Sequence, residues 1–180
     1  MPKSEPEHDH LLQAVLQNPD ADVPRTAYAT WCMSQPDAPT LARGEFIHTQ
    51  LRLASRRDDR PVDLRNDLLH TEMTLQRNYA RTWAREIGSL VDEHQYHRGF
   101  VSLVTLPARR FLEVAPRLFA LAPIRHLNLT EAATVAKELF VSPHLLDIRS
   151  LRIGRTEPLF KGRPRSIPCE TALLLRLTVR

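Results

Sequence analysis

The residues able to form a chemical site are few. His94 and His97 are three apart, a spacing that would set two imidazoles on one face of a helix, but no cysteine or carboxylate pattern nearby completes a metal site. His8, Asp9 and His10 read as a solvated polar tail. Cys32 and Cys169 lie far apart with no C-x-x-C spacing, which suits two reduced, mostly buried thiols. There is no G-x-S-x-G elbow and no P-loop, and 5 glycines are few from which to build a phosphate cradle. Catalytic residues, cofactor and metal are therefore all expected to be none, and the chain reads as a non-enzyme.

What remains is cationic binding chemistry. The first 60 residues carry a net charge of −2, the middle 60 carry +1 and the last 60 carry +5. An acidic protein surface or a phosphate backbone would be drawn to that last third. Within it, Arg155, Lys161, Arg163 and Arg165 surround Phe160, a tract that could grip phosphates and stack a base, or simply form a basic loop. Arg152 and Arg176 can bind carboxylates or phosphates with a bidentate fork.

The elements that would position these arginines show a repeat. Val104-Thr105-Leu106, Leu127-Asn128-Leu129, Leu151-Arg152-Ile153 and Leu175-Arg176-Leu177 are apolar-x-apolar triplets separated by 23, 24 and 24 residues. Leucine-rich repeats have units of about 20–29 residues with such a core. Each triplet predicts a short strand with its outer residues inward and its middle residue outward. That rule aligns Thr105, Asn128, Arg152 and Arg176 in one outward row, and Leu103, His126, Ser150 and Leu174 in the next. Helical spacing at Phe111, Leu112, Val114, Ala115, Leu118 and Phe119, and at Ala133, Val135, Ala136, Leu139 and Phe140, predicts the return helices that parallel strands require. The asparagine usual three residues past the triplet is absent. The stretch from Gly154 to Glu170, with Pro158, Pro164 and Pro168, predicts an irregular basic loop. The last triplet predicts an edge strand, to be covered by the Lys161–Arg165 loop, by a partner or by a second copy.

The N-terminal half reads as four helices. Leu11, Leu12, Val15 and Leu16 give the first, over 9–17. Asp20 or Asp22 is the expected cap of a second that carries Tyr28, Trp31 and Cys32 on one side. Thr40 is the expected cap of a third over 41–56, with Arg43 and Glu45 on its solvated side. A fourth runs from Val62 to Arg81, with Leu64, Leu68, Leu69, Met73 and Leu75 as its apolar side. Trp31 and Trp83 are assigned to packing.

Three stretches carry a resemblance: Leu11 through Pro24-Arg25, Tyr28-Ala29-Thr30-Trp31, and Arg43-Gly44-Glu45-Phe46-Ile47-His48-Thr49-Gln50-Leu51. They resemble the bacterial repeat-companion domain family, a short helical segment found beside leucine-rich or similar repeats. The chain departs from that pattern at Thr30, where the family has Asp, and at Cys32-Met33-Ser34, where it has Leu-Glu-Glu. The segment from Trp83 to Arg98-Gly99-Phe100-Val101 is similar to the tryptophan-containing helix and Arg-Gly-Phe entry that lead from the domain into the repeats in that family. The resemblance implies a helical cap ahead of repeats and names no chemistry.

The expected architecture is thus α/β: an α-helical cap followed by a short leucine-rich-repeat-like solenoid with a parallel sheet of about four strands. Residues 8–81 would form the companion domain, 82–100 a junction and 101–180 the array. The expected function is protein binding, as adaptor, regulator or immunity-like subunit, with His126, Asn128, Arg152, Arg176, Lys161, Arg163 and Arg165 as contact residues. The expected partner is another protein with an acidic surface. The rival reading is a nucleic-acid-associated subunit using the basic third, and homodimerisation through the edge strand is a further expectation. No apolar run is long enough to span a membrane and the N-terminal residues do not resemble a signal peptide, so a cytoplasmic location is the default.

Overall fold

A computed structural model describes residues 5–55 and 61–154. They form a mixed α/β structure of seven helices and one four-stranded sheet. The first four helices are α1 (Glu5–Gln17), α2 (Asp22–Met33), α3 (Ala38–Ala54) and α4 (Val62–Trp83). Two expected caps move. The residue preceding α2 is Ala21, with no side-chain cap, because Asp20 and Asp22 are drawn to arginines across the molecule. Asp37, not Thr40, caps α3, its Oδ2 accepting from the Thr40 N–H at 2.9 Å. Helix α1 also begins earlier than its apolar spacing suggested. In α4 only Leu68 and Leu75 are buried, while Leu64, Leu69 and Met73 are exposed. That corrects the expected apolar side: α4 packs along α3, with Leu75 meeting Ala42 and Phe46, and leaves Leu64, Leu69 and Met73 turned outward.

After a four-residue helix α5 (Arg85–Gly88) come strands β1 (Glu93–His97) and β2 (Phe100–Pro107). They pair antiparallel around Arg98-Gly99, with His97 opposite Phe100. Both turn residues have positive φ, 51° and 85°. This is the mirror-image turn whose twist matches a hairpin. Gly99 has a second reason to lack a side chain, since a Cβ there would stand 2.8 Å from the Ile47 Cα.

The sheet order is β1-β2-β3-β4, with β3 at His126–Thr130 and β4 at Ser150–Ile153. Strands β2, β3 and β4 run parallel. Strand β1 corrects the expected all-parallel sheet: part of the expected junction is itself a strand and runs the other way. Helix α6 (Ala108–Leu121) links β2 to β3 as its periodicity predicted. The next link is less regular, with 3₁₀ turns at Ala132–Val135 and Pro143–Leu145 around a short α7 (Ala136–Phe140). The expected fourth repeat strand, with Arg176, and the Gly154–Glu170 loop lie outside the described residues, save Gly154 itself.

The core of the α/β half is aliphatic. Val104, Leu106, Leu127, Leu129 and Leu151 point into it from the strands, meeting Phe111, Ala115 and Leu118 of α6 and Leu139 of α7. Burying each such side chain stabilises by about 1.5–3 kcal/mol.

Candidate functional site

The parallel register brings the repeat together residue for residue. Thr105 pairs with Asn128 and Asn128 with Arg152, while Leu103 pairs with His126 and His126 with Ser150. Neighbouring strands lie about 4.8 Å apart, so these are two adjoining rows on the face turned from the aliphatic core. Strand β1 extends them with Glu93 opposite Thr105 and Gln95 opposite Leu103. Exposure grows across the rows. Thr105 is buried, Asn128 and His126 are half-buried, and Ser150 and Arg152 are exposed. Thr105 thus keeps its place in the row but is buried rather than exposed; Asn128 Nδ2 lies 3.4 Å from its hydroxyl, and the pair closes that end. Of the expected contact residues, the structure sets His126, Asn128 and Arg152 on one face. Arg176, Lys161, Arg163 and Arg165 lie outside the described residues.

The charge at one end of this face is partly neutralised. Asp20, in the loop between α1 and α2, accepts from Arg125 and lies 2.7 Å from Arg149 Nη2. Burial raises the Asp20 pKa, but the Arg125 hydrogen bond and the charges of Arg125, Arg149 and Arg98 outweigh it, and the net shift is downward. Arg98 pairs with Asp22 and donates to the Asp20 carbonyl at 2.8 Å. These arginines tie the helices to the sheet. Arg152, by contrast, makes no ion pair among the described residues. Burial, then the nearness of His97 and the positive field of Arg149 and Arg125, lowers the His126 pKa. Burial, and then Arg25, lowers the His97 pKa likewise. His97 and His94 lie on β1 rather than on a helix. Three residues apart on an extended strand, they do not share one helical face.

Three residues of the companion-like stretches have roles that their pattern alone concealed. Arg25, 2% exposed, donates from Nη1 to the Arg98 carbonyl at 2.9 Å and from Nη2 to the Pro19 carbonyl at 2.7 Å. It thereby clamps the hairpin turn, and burial pulls its pKa down to about 10. Gln50 accepts from the Gly99 N–H and donates to Glu72, both at 2.6 Å. Arg43 corrects an expectation: rather than standing on a solvated face, it is half-buried against aromatic rings. Its guanidinium carbon stands 5.2 Å from the Trp83 ring centre, 5.3 Å from Tyr96, 5.1 Å from Phe100 and 5.8 Å from Phe46. Arginine on a helix is ordinarily solvated, so only the aromatics spread along the sequence could have hinted at this site.

Trp83 packs as expected, stacked on Phe46 and Tyr79, with its Nε1 donating to the Pro39 carbonyl at 2.8 Å. Cys32 is buried, and burial pushes its thiol up to about 11. Among the described residues no group of three or more histidines, cysteines and carboxylates could hold a metal, and no helix is long and apolar enough to cross a membrane. No family model, curated protein or solved structure matches the chain.

Proposed function

We propose that this chain is a non-enzymatic binding module that holds another protein against the exposed rows of its sheet, as adaptor, regulator or immunity-like subunit. In this reading β2, β3 and β4 are the first strands of a short leucine-rich-repeat-like solenoid, and the helical half is its companion-type cap. The observation that carries the proposal is the register. Triplets spaced 23 and 24 residues apart in sequence stand side by side, and the residues between their apolar positions form continuous rows. Repeat strands stacked this way serve most often as surfaces for macromolecules. Asn128 and His126 offer hydrogen bonds, and Arg152, without an ion pair among the described residues, offers its guanidinium to a carboxylate on an acidic partner. Arg176 and the Lys161–Arg165 tract, which lie outside the described residues, belong to the same proposed contact surface. The proposal includes a cytoplasmic setting and leaves the edge of the last repeat strand, the one carrying Arg176, for a partner or a second copy.

Affinity capture with the wild type and an Arg152→Glu/Arg176→Glu variant, washed at low and high salt, tests it. The expected result is a protein retained at high salt by the wild type and lost by the variant. Nucleic acid alone, released by salt with a slope of about one log unit per phosphate contacted, would put the basic third to the rival use.

A further inference from the structure

The aromatic residues under the helices fall into two clusters. Tyr28, Trp31 and Phe100 form one, with the His8 and Trp31 ring centres 5.2 Å apart. Phe46, Tyr79, Trp83 and Tyr96 form the other. Among the described residues no ring of the first lies against a ring of the second. Instead a cavity of about 460 Å³ is walled by Tyr28, Trp31 and Phe100 from one cluster and by Trp83 from the other. That volume suits a small organic molecule, since ligand pockets span about 300–1,000 Å³ and are lined mostly by apolar and aromatic side chains.

The charges on the lining argue against an ionic ligand. The Arg43 guanidinium carbon stands 5.1 Å from the Phe100 ring centre and 5.2 Å from that of Trp83, so it spans the gap that the rings leave. It also makes a side-chain hydrogen bond with Tyr96, and its Nη1 is closed to solvent. An anion would give up its water for a guanidinium already engaged in this way. A cation would meet the Arg43 charge across a short, poorly solvated distance. Arg85 and Glu86, also on the lining, are exposed and of opposite sign. What the cavity offers is ring surface: Trp31 and Trp83 are only half-buried.

We infer that this cavity binds a neutral, flat molecule of two or three fused aromatic rings, set between the Trp31 and Trp83 walls. Aromatic pairs attract beyond the area they bury, and each pair should favour such a ring over a saturated body of the same skeleton by about two- to tenfold. An inserted ring would join the two clusters, completing the ring contacts that the fold leaves open. This site is separate from the proposed protein-binding rows and stands whether or not they bind a partner.

The test uses the full chain with 2-naphthol, uncharged at pH 7, beside three relatives: the saturated decahydro-2-naphthol, the anion 2-naphthoate and the cation 2-naphthyltrimethylammonium. Calorimetry should show 2-naphthol binding saturably at one site and at least fivefold more tightly than each relative. Trp31 and Trp83 are the chain's only tryptophans, so the proton spectrum reports the site directly: the ring signals of both indoles should shift as 2-naphthol saturates. Leu121→Trp, which fills the cavity from the end of α6, should abolish binding. Trp31→Leu, which removes one wall, should cut the preference for the aromatic over the saturated skeleton by about threefold or more. The inference is overturned if 2-naphthol does not bind saturably, or if any of the three relatives binds as tightly. Indole signals that stay in place on saturation also overturn it, and that readout needs no variant to fold. So does a folded Leu121→Trp protein that binds like the wild type.

Discussion

Around the sheet the interior is aliphatic, and one cluster runs without a break from Ile87 to Leu151. Under the helices the interior is divided in two, aromatic, and threaded by Arg25, Arg43 and Gln50. The first region is held by apolar area, which is tolerant of detail. The second is held by directed contacts that succeed or fail atom by atom: Arg25 to two carbonyls, Gln50 to Gly99, Asp20 and Asp22 to the arginines of the sheet. The contrast implies a division of labour. The sheet sets out a repeating face, and the helical half uses its polar interior to grip the Arg98-Gly99 hairpin and position that sheet.

Substitutions can break this contrast, the largest effect first. Gly99→Ala forces a side chain into positive φ and against the Ile47 backbone, and should cost about 3 kcal/mol or more. The check is the urea midpoint. Leu127→Ala, in the aliphatic region, should cost about 3 kcal/mol through lost transfer energy and a cavity, with the hairpin contacts intact.

A matched pair then sharpens the difference within the helical half. Arg25→Met strips two carbonyls of their donors and should cost about 2 kcal/mol. Arg43→Met removes a charge that has no hydrogen-bonded partner at Nη1, and should be neutral or stabilising by about 1 kcal/mol in thermal melts. Equal losses from the two would show that these arginines are not distinguished by their partners.

Acid should loosen the fold more gently. Burial lowers the pKa of His94, His97 and His126 in the folded protein. The unfolded chain therefore takes up protons first, below about pH 6.5. The stability these rings contribute is complete above that value and is lost as pH falls through it toward their folded values. Denaturant midpoints at pH 7.5 and pH 5.5 should differ in that direction, and His126→Gln should shrink the difference. Smallest of all, Arg152→Glu should leave stability within about 0.5 kcal/mol, because the side chain is exposed and makes no ion pair among the described residues.

The aliphatic half was the more legible in the sequence for a physical reason. Strands that bury alternate residues write an apolar-x-apolar mark, and parallel stacking repeats it at a constant interval, so the spacing of Leu106, Leu129 and Ile153 anticipates the register. Strand β1 left no such mark. Glu93-His94-Gln95-Tyr96-His97 is polar throughout and half-buried at most, an edge strand recognisable only by its two-residue turn. The face of α4 misled because its leucines and Met73 outnumber the positions that α3 covers. Arg43 was illegible because its environment comes from residues up to 57 positions away, and a charged side chain on a helix gives no sign of what will surround it.

In the proposed reading the exposed rows of the sheet form the binding face. Photo-crosslinkers placed singly at Ser150 and Arg152, and as controls at Met73 and Val141, two exposed apolar positions elsewhere, test it most directly. The account predicts a common protein adduct from the two sheet positions and none from Met73 or Val141. Adducts from Met73 or Val141 alone would contradict it and move the binding face off the sheet.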